Sequence, residues 1–363
     1  PLVVHDWRER GDLESALETL AREDLATGFE LDRAPLLRVT LVRTSASDYH
    51  LIYTSHHILM DGWSTSQLFG EVLQRYAGVD MARGAGRYRD YIEWLGQRDA
   101  QASQTFWTEA LAGLQEPTRL ASALGSRQAL ASGHADHEHV FGEALTADLN
   151  RFAREQKVTL NTLLQAAWLV LLQRYTGQAG VAFGATVAGR PMELAGVEQQ
   201  IGLFINTLPV VAAPEAQIPV AAWLQQVQDL NLALREHEHT PLYDIQRWAG
   251  LGAGGLFDSL LVFENYPMAE ALGQASGSGL EFAAISRQEQ TNYPLTLVAV
   301  TGRELTLGLS YDRGCFDAAT VARLGRELER LMSRFMADPE QPLGALELLE
   351  GESRQAALAW GRG

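Results

Sequence analysis

The sequence predicts an α/β fold in which helices and strands alternate along two domains. In some segments apolar residues recur at helical spacing, as in the stripe of Leu324, Leu328 and Leu331. In others apolar and polar residues alternate, as over 304–311, which is typical of a half-buried strand. A length of 363 residues favours about two domains. A hydrophobic content of 46% permits a sizeable core.

The first half of the chain predicts helices on both sides of a pair of strands. The expected elements are a helix at 13–21, strands at 36–42 and 49–54, and helices at 64–77 and 87–113. Ser64 and Gln67 fit a capping box, which would begin the second of these helices. A polar stretch containing glycine and serine, at 121–136, predicts a connection. We place the domain boundary there.

The second half predicts more helices and a sheet. The apolar run at 180–187 suits a strand that is covered on both faces. Asp317 can cap a last helix. The other expected elements are helices at 145–156, 161–175 and 219–236, and strands at 256–265, 293–300 and 304–311.

Charge and composition exclude several classes of function. A net charge of −16 argues against a general nucleic-acid binder and against an anionic membrane surface, because both require a basic face. The one cysteine, Cys315, excludes an intrachain disulfide framework and fits a reducing compartment, so we expect a cytoplasmic protein. The longest apolar helical run, 163–172, is too short to span a bilayer, and the chain opens without a signal-peptide pattern.

The most informative motif lies where a predicted strand gives way to a helix. His56 and His57 are adjacent, and Asp61 and Gly62 follow after three spacers. Histidine can accept and donate a proton near neutral pH. A carboxylate four residues later can brace the loop or pair with a distant arginine, and glycine allows a tight backbone turn. An ordinary pair of histidines followed by a turn would explain any one of these residues, but not the whole pattern.

The motif resembles the HHxxxDG signature of the condensation domains of nonribosomal peptide synthetases, which make secondary metabolites. Further segments resemble other motifs of that family and occur in the family order. They are Tyr88–Trp94 (YxDYxxW), Val187–Pro191 (V-x-GRP), Ile201–Leu208 (IGxFxNT), His239–Leu242, Phe257–Asn265 and Thr291–Leu295. The resemblance therefore extends from about residue 35 to the C-terminus.

This resemblance implies a fold of two α/β sandwich lobes, each like chloramphenicol acetyltransferase, that form a V with a central tunnel. Residues 1–120 would be an N-terminal lobe that carries HHxxxDG, and residues 121–350 the C-terminal lobe. Residues 351–363 would link to a following domain, which in the family is often an adenylation domain. Family members carry further sequence before the point that corresponds to Pro1, so we expect the N-terminal lobe to be truncated here.

The reaction that the resemblance implies is amide formation between two thioesters. A donor acyl or peptidyl group and an acceptor aminoacyl group would each arrive on the phosphopantetheine arm of a carrier protein. We expect no intrinsically bound cofactor, because 4'-phosphopantetheine would come with those partners. We also expect a monomeric unit within a multidomain chain. The sequence has no GxSxG elbow, and Cys315 lies outside the motifs, so no covalent nucleophile is predicted.

The resemblance also suggests a role for each residue of the motifs. His57 would accept a proton from the attacking amine or position the amine and the oxyanion, whereas His56 would be structural. Asp61 would fix the loop through a salt bridge with Arg190. The sequence is equally consistent with Arg190 being a surface arginine beside a turn. Gly62 would supply flexibility or an N–H near the reacting carbonyl.

Two further residues are expected to support the site, and several tempting features are not assigned to it. Trp63 belongs to a DGWS form that resembles domains joining ordinary elongation substrates, and Asn206 would order a loop under the tunnel or cap a turn. The histidines and acids at 134–139 lie in the predicted connection without the spacing of a zinc site, so no metal site is predicted. The glycine-rich stretch at 250–255 is followed by a strand, which disfavours a phosphate loop.

Three alternatives share parts of this pattern. An epimerisation domain would need an additional EGHGRE-like stretch, which the residues at 235–239 match poorly. A heterocyclisation domain would replace the histidines with an aspartate-based motif. A catalytically inactive relative could recruit a partner enzyme, but such relatives usually have a damaged signature, and here the signature is intact.

Overall fold

The structure is a computed structural model that describes residues 2–80, 86–124, 131–252, 254–264, 279–282 and 291–347. These residues divide into two compact units. The first contains the described residues within Pro1–Ile92, Arg190–Phe204 and Tyr266–Phe282, and the second contains those within Glu93–Gly189, Ile205–Asn265 and Ala283–Gly363. The α/β class predicted from the sequence is confirmed. The lobe boundary at residue 120 stays a prediction, and the expected linker at 351–363 lies outside the described residues.

The first unit contains a sheet of three strands. In the order β1-β2-β3, β1 (Leu2–Asp6) runs parallel to β2 (Leu37–Arg43), and β2 pairs antiparallel with β3 (Tyr49–Ser55). The helices of this part of the chain are α1 (Leu13–Thr27), α2 (Gly62–Tyr76) and the start of α3 (Tyr88–Leu95). The loop between β3 and α2 carries the HHxxxDG motif.

The second unit contains a sheet of six strands in the order β4-β9-β8-β7-β5-β6. Strand β7 pairs parallel with β5 and β8, and the other pairs are antiparallel. The strands are β4 (His134–Val140), β5 (Val181–Val187), β6 (Asn206–Ala212), β7 (Ser259–Glu264), β8 (Leu295–Thr301) and β9 (Leu305–Asp312). The helices are α4 (Ala100–Ala110), α5 (Leu120–Leu124), α6 (Glu143–Glu155), α7 (Leu160–Thr176), α8 (Val220–Arg235), α9 (Leu242–Ala249) and α10 (Ala318–Ala337).

A single apolar core fills the second unit, with α7 at its centre. Helix α7 is apolar around most of its circumference and is almost entirely buried, as expected for a core helix. Trp168, Phe183 and Phe335 are fully buried in this core. Asp317 caps α10 as the sequence predicts, because its carboxylate accepts the Thr320 N–H at 2.7 Å. None of the helices among the residues described is long and apolar enough to cross a membrane.

Several segments differ from the sequence prediction, among them 87–113 and 121–136. The single helix expected at 87–113 is two helices, because the Asp99 carboxylate accepts the N–H groups of Gln101 and Ala102 and begins a new helix there. The expected connection at 121–136 gives way to strand β4, whose residues alternate between exposed and half-buried positions. His, Asp and Glu are weak strand formers, so here the pairing with β9 overrides propensity.

Candidate active site

The HHxxxDG loop is shaped at its start by His56. The His56 N–H donates to Leu36 O at 2.9 Å, which ties the loop to the chain just before β2. The His56 ring accepts the Ile58 N–H on Nδ1 at 3.1 Å. The ring of His56 is thereby turned into its own loop, where it supports the turn that presents His57.

His57 is the exposed histidine of the motif. Its ring makes no hydrogen bond or ion pair with the part of the chain that the structure describes. The imidazole is therefore available to a bound molecule, whereas the neighbouring His56 ring is engaged in the turn.

Asp61 closes the loop and begins helix α2. Its side chain is 1% exposed and accepts three donors: the Ser64 N–H at 2.8 Å, the Phe204 N–H at 3.0 Å and Arg190 Nη2 at 3.2 Å. The N-cap of α2 is thus Asp61, and the capping box predicted at Ser64 is wrong by three residues. Asp61 accepts N–H groups of its own helix and of the loop segment just before β6, so its buried charge has hydrogen-bond partners.

The ion pair that the sequence suggests between Asp61 and Arg190 is present, and the alternative of a surface arginine is wrong. The Arg190 side chain is only 7% exposed. Its Nη1 donates to the carbonyl oxygens of Val197 and Gln200 at 2.5 and 3.0 Å, and its guanidinium lies 4.0 Å from the centre of the Phe204 ring. Arg190 therefore organises the whole segment 190–204 around itself as well as binding Asp61.

Trp63 and Gly62 occupy the first turn of α2. Trp63 Nε1 donates to Glu198 O at 2.9 Å, so the indole also holds the segment 190–204. Gly62 is buried at the helix start, and its carbonyl accepts the Ser66 hydroxyl at 3.0 Å. The N-terminal turn of α2 is thus attached to this segment by the Trp63 side chain as well as by Asp61.

The site also contains residues for which the sequence reasoning gave no such role. Ser64 is fully buried, and its hydroxyl contacts both backbone groups of Gly202. The ring of Tyr88 lies against Gly202, where an added Cβ would stand 2.2 Å from Tyr88 Cδ2. Tyr88 Oη donates to Leu203 O at 2.6 Å, and burial, with the charge of Asp61, raises the pKa of this phenol. Tyr88 and Gly202 both lie in motifs that were recognised, but their contact could not be inferred from either motif alone.

Asn206 lies in the second unit, at the start of β6. Its side-chain amide donates to Glu238 O at 2.9 Å and to Thr240 O at 2.6 Å, and its Oδ1 accepts the Thr207 N–H. The loop that it orders is therefore 238–240. In that loop His239 Nε2 lies 3.2 Å from Ser103 Oγ, and burial lowers the pKa of His239.

The histidine-rich stretch at 134–139 is part of strand β4 rather than a connection. His139 Nε2 lies 2.6 Å from a carboxylate oxygen of Glu329 on α10. Within the residues that the structure describes, no three His, Cys, Asp or Glu side chains are grouped so that they could hold a metal ion.

A family model for the condensation domain matches residues 2–358 of this chain. Among curated proteins, the chain is 38% identical over 378 residues to a subunit of linear gramicidin synthase from Brevibacillus parabrevis, covering 99% of this chain and 7% of that protein. It is 32% identical over 344 residues to surfactin synthase subunit 3 of Bacillus subtilis, covering 93% of this chain and 27% of that protein. The chain thus spans a small part of the length of these relatives.

Solved structures share the fold at low sequence identity. The first condensation domain of the calcium-dependent antibiotic synthetase, in complex with a substrate analogue, superposes with a TM-score of 0.74 at 19% identity, covering 96% of this chain and 80% of that one. A four-domain nonribosomal peptide synthetase bound to AMP and glycine gives 0.81 at 20% identity, covering 98% and 28%. The X-domain from teicoplanin biosynthesis gives 0.75 at 22% identity, covering 96% and 81%.

Proposed function

Because the chain belongs to the condensation domain family, we propose that it joins a donor acyl or peptidyl thioester to the amine of an acceptor aminoacyl thioester. Condensation domains of nonribosomal peptide synthetases are acyltransferases that form peptide bonds, which is the enzyme class that the sequence predicts. The product would be an amide that remains attached to the acceptor carrier protein.

One observation carries the proposal: the motif loop is fully supported while His57 is left exposed. His56 shapes the start of the loop, and Asp61 with Arg190 fixes its end through buried, hydrogen-bonded charges. Buried charges are costly unless they are paired, and here the carboxylate and the guanidinium are paired with each other. The arrangement holds one imidazole at a fixed place for a ligand, as positioning catalysis requires.

The proposed reaction needs one proton acceptor and no covalent intermediate on the protein. The acceptor amine attacks the donor thioester carbon, which forms the C–N bond and places negative charge on the carbonyl oxygen. His57 takes a proton from the amine, or holds the amine and the oxyanion by hydrogen bonds. The C–S bond then breaks, and the released thiolate of the donor arm takes up a proton. General-base action contributes about 10²–10⁴-fold, and positioning can contribute as much.

The partners would be a donor and an acceptor carrier protein, each bringing a 4'-phosphopantetheine arm as part of its substrate. The curated relatives are subunits of much larger synthases, which supports a setting of neighbouring carrier and adenylation domains in one chain. The single cysteine supports a cytoplasmic setting.

The second candidate function is a platform that recruits a partner protein, and the match to one solved structure favours it. The same fold occurs in the X-domain from teicoplanin biosynthesis, which has been solved in complex with OxyB (TM-score 0.76, 22% identity). A platform would bind a partner protein without needing His57. Epimerisation is a third outcome, which chiral analysis of the donor group recovered from the same assay detects, because it changes the stereochemistry of the donor without forming an amide.

Single-turnover transfer between two loaded carrier proteins tests the proposal. The natural chain that contains this domain should convert the acceptor into an amide product, and His57→Ala should lower the rate by at least about 10²-fold while the protein stays folded. His50→Ala is the matched control, because His50 is another exposed histidine, on the neighbouring strand β3. Amide formation at the parental rate in His57→Ala would exclude His57 from the reaction. Carrier binding without any amide product would favour the platform.

A further inference from the structure

The Ser64 hydroxyl lies at the centre of the hydrogen bonds that hold the motif loop. We infer that Ser64 is a positioning residue for the proposed reaction, acting through Asp61 on the loop that carries His57. This inference rests on the proposed function. It assigns to Ser64 a role different from the helix capping that its sequence position suggests.

Every hydrogen-bonding capacity of the Ser64 hydroxyl is used. The oxygen donates its one proton to Gly202 O at 2.8 Å. It accepts the Gly202 N–H at 3.1 Å and Arg190 Nη2 at 2.8 Å. A hydroxyl offers one donor and two acceptor sites, so the three contacts match its full inventory.

These contacts make Ser64 and Asp61 share the same two partners. Arg190 Nη2 donates to Asp61 Oδ1 as well as to the Ser64 hydroxyl. Gly202 O accepts the Asp61 N–H at 3.1 Å as well as the Ser64 hydroxyl. The Ser64 N–H in turn donates to Asp61 Oδ1. The place of Asp61 relative to the segment 190–204 is therefore fixed jointly by its own carboxylate and by Ser64.

A hydroxyl is the group that this position requires. Ser64 is fully buried, so water cannot replace a lost hydroxyl without first opening the site. Alanine would leave the Gly202 N–H and one proton of Arg190 Nη2 without their present acceptor. Cysteine would fill a similar volume but bonds weakly as donor and as acceptor.

The consequence for His57 follows from how the loop is attached. The loop is held at His56 and at Asp61, and His57 lies between these points without a hydrogen bond of its own to described residues. A shift at Asp61 therefore moves the imidazole. Misplacement of a reacting group by about 1 Å can cost roughly 10²-fold in rate.

The experiment compares kcat and KM for Ser64→Ala, Ser64→Cys and Ser64→Thr, in the natural chain that contains this domain and with loaded carrier proteins. Assays run well below each variant's melting temperature. We expect Ser64→Ala and Ser64→Cys to lower kcat about 10- to 100-fold while KM for the donor carrier changes less than about twofold. Ser64→Thr keeps the hydroxyl and should recover most of the rate. If threonine does not fit the buried site, the alanine and cysteine variants still decide the question.

Ser66→Ala is the matched control, because Ser66 is also a buried serine of α2 but its hydroxyl bonds only to a carbonyl of its own helix. It should change kcat by less than about threefold, because this hydroxyl bonds only within its own helix and not to the segment 190–204. Ser64 variants that melt earlier yet turn over at the parental kcat when folded would overturn the inference and leave Ser64 a purely structural residue. An unmodified chain that forms no amide would instead overturn the proposed function, so the two failures are distinguishable.

Discussion

The two units of the chain are stabilised internally by different means. The second unit has one continuous apolar core, in which side chains such as Trp168 and Leu328 are completely buried. The first unit buries fewer large apolar side chains, and several of its best-buried groups are polar, among them Asp61 and Ser64. One unit relies mainly on removing apolar surface from water, and the other on satisfying buried hydrogen-bonding groups.

This difference sets how each unit responds to substitution. Apolar contacts are numerous and non-directional, so a lost methyl group weakens a core by degrees. The hydrogen bonds around Asp61 are few and directional, so the loss of one partner leaves a buried charge or N–H group without a hydrogen bond. Substitutions in the apolar core of the second unit should therefore change stability alone, whereas substitutions around Asp61 should change stability and turnover together.

The largest effect is expected for Asp61→Ala. It leaves the Arg190 guanidinium buried without its carboxylate, and breaking a buried ion pair in this way costs about 3–5 kcal/mol. Amide formation by the molecules that remain folded should also fall. Urea unfolding together with the transfer assay measures both effects. An unfolding midpoint equal to that of the unmodified chain would mean that the pair contributes nothing to stability.

A core substitution in the second unit should separate stability from turnover. Leu328 is fully buried on α10, and Leu328→Ala should destabilise by about 2–5 kcal/mol through lost burial and the cavity left behind. Turnover per folded molecule should stay within about twofold, because no part of the motif loop is touched. Urea unfolding and the transfer assay check this prediction. A large loss of kcat in the folded variant would show that the two units do not differ in this way.

Gly202→Ala sharpens the comparison by adding an atom rather than removing one. Its Cβ would stand 2.2 Å from Tyr88 Cδ2, so either the ring or the backbone must shift, at a cost of about 1–3 kcal/mol. The double variant Tyr88→Leu with Gly202→Ala should lose less than the sum of the two single variants, since the smaller side chain makes room. Thermal unfolding of the unmodified protein, the two single variants and the double variant gives the coupling between the two positions. If the two losses of stability simply add, the Tyr88 ring is not what the added Cβ meets.

The smallest effect concerns acid sensitivity in the second unit. Burial lowers the pKa of both His237 and His239. In the unfolded chain histidine titrates near its ordinary value of about 6.5, so below that pH the unfolded chain binds more protons than the folded one. Stability should therefore fall as the pH drops from about 6.5 towards the lower pKa values of the folded state, and these groups contribute nothing above that window. His237→Gln with His239→Gln should flatten the fall in melting temperature between about pH 7 and about pH 5. An unchanged slope would assign the acid sensitivity to other groups.

Strongly periodic segments could be predicted from the sequence, and segments that depend on a distant partner could not. The stripe of α10 and its Asp317 cap are local signals, and both are present. Strand β4 was missed because its histidines and acids oppose strand formation, and only the partner β9 makes the strand favourable. The short strand β1 was missed as well, since it depends on a parallel partner far along the chain.

The same distinction holds within the candidate site. Asp61 and Arg190 could be paired from the sequence because each lies in a recognisable motif and their charges are opposite. The role of Ser64 could not be predicted from the sequence, because a serine near the start of a helix is most simply interpreted as a cap. Its actual partners lie 126 and 138 residues away, and no local pattern encodes them.

The 129 residues between Asp61 and Arg190 also impose an order on synthesis. A chain that leaves the ribosome at about 5–20 residues per second exposes the Asp61 carboxylate roughly 10 s before its guanidinium partner exists. Throughout that interval the motif loop lacks the segment that fixes its end. The first unit, although it comes first in the sequence, therefore cannot complete its folding until strand β5 of the second unit has been translated and the chain beyond it has returned.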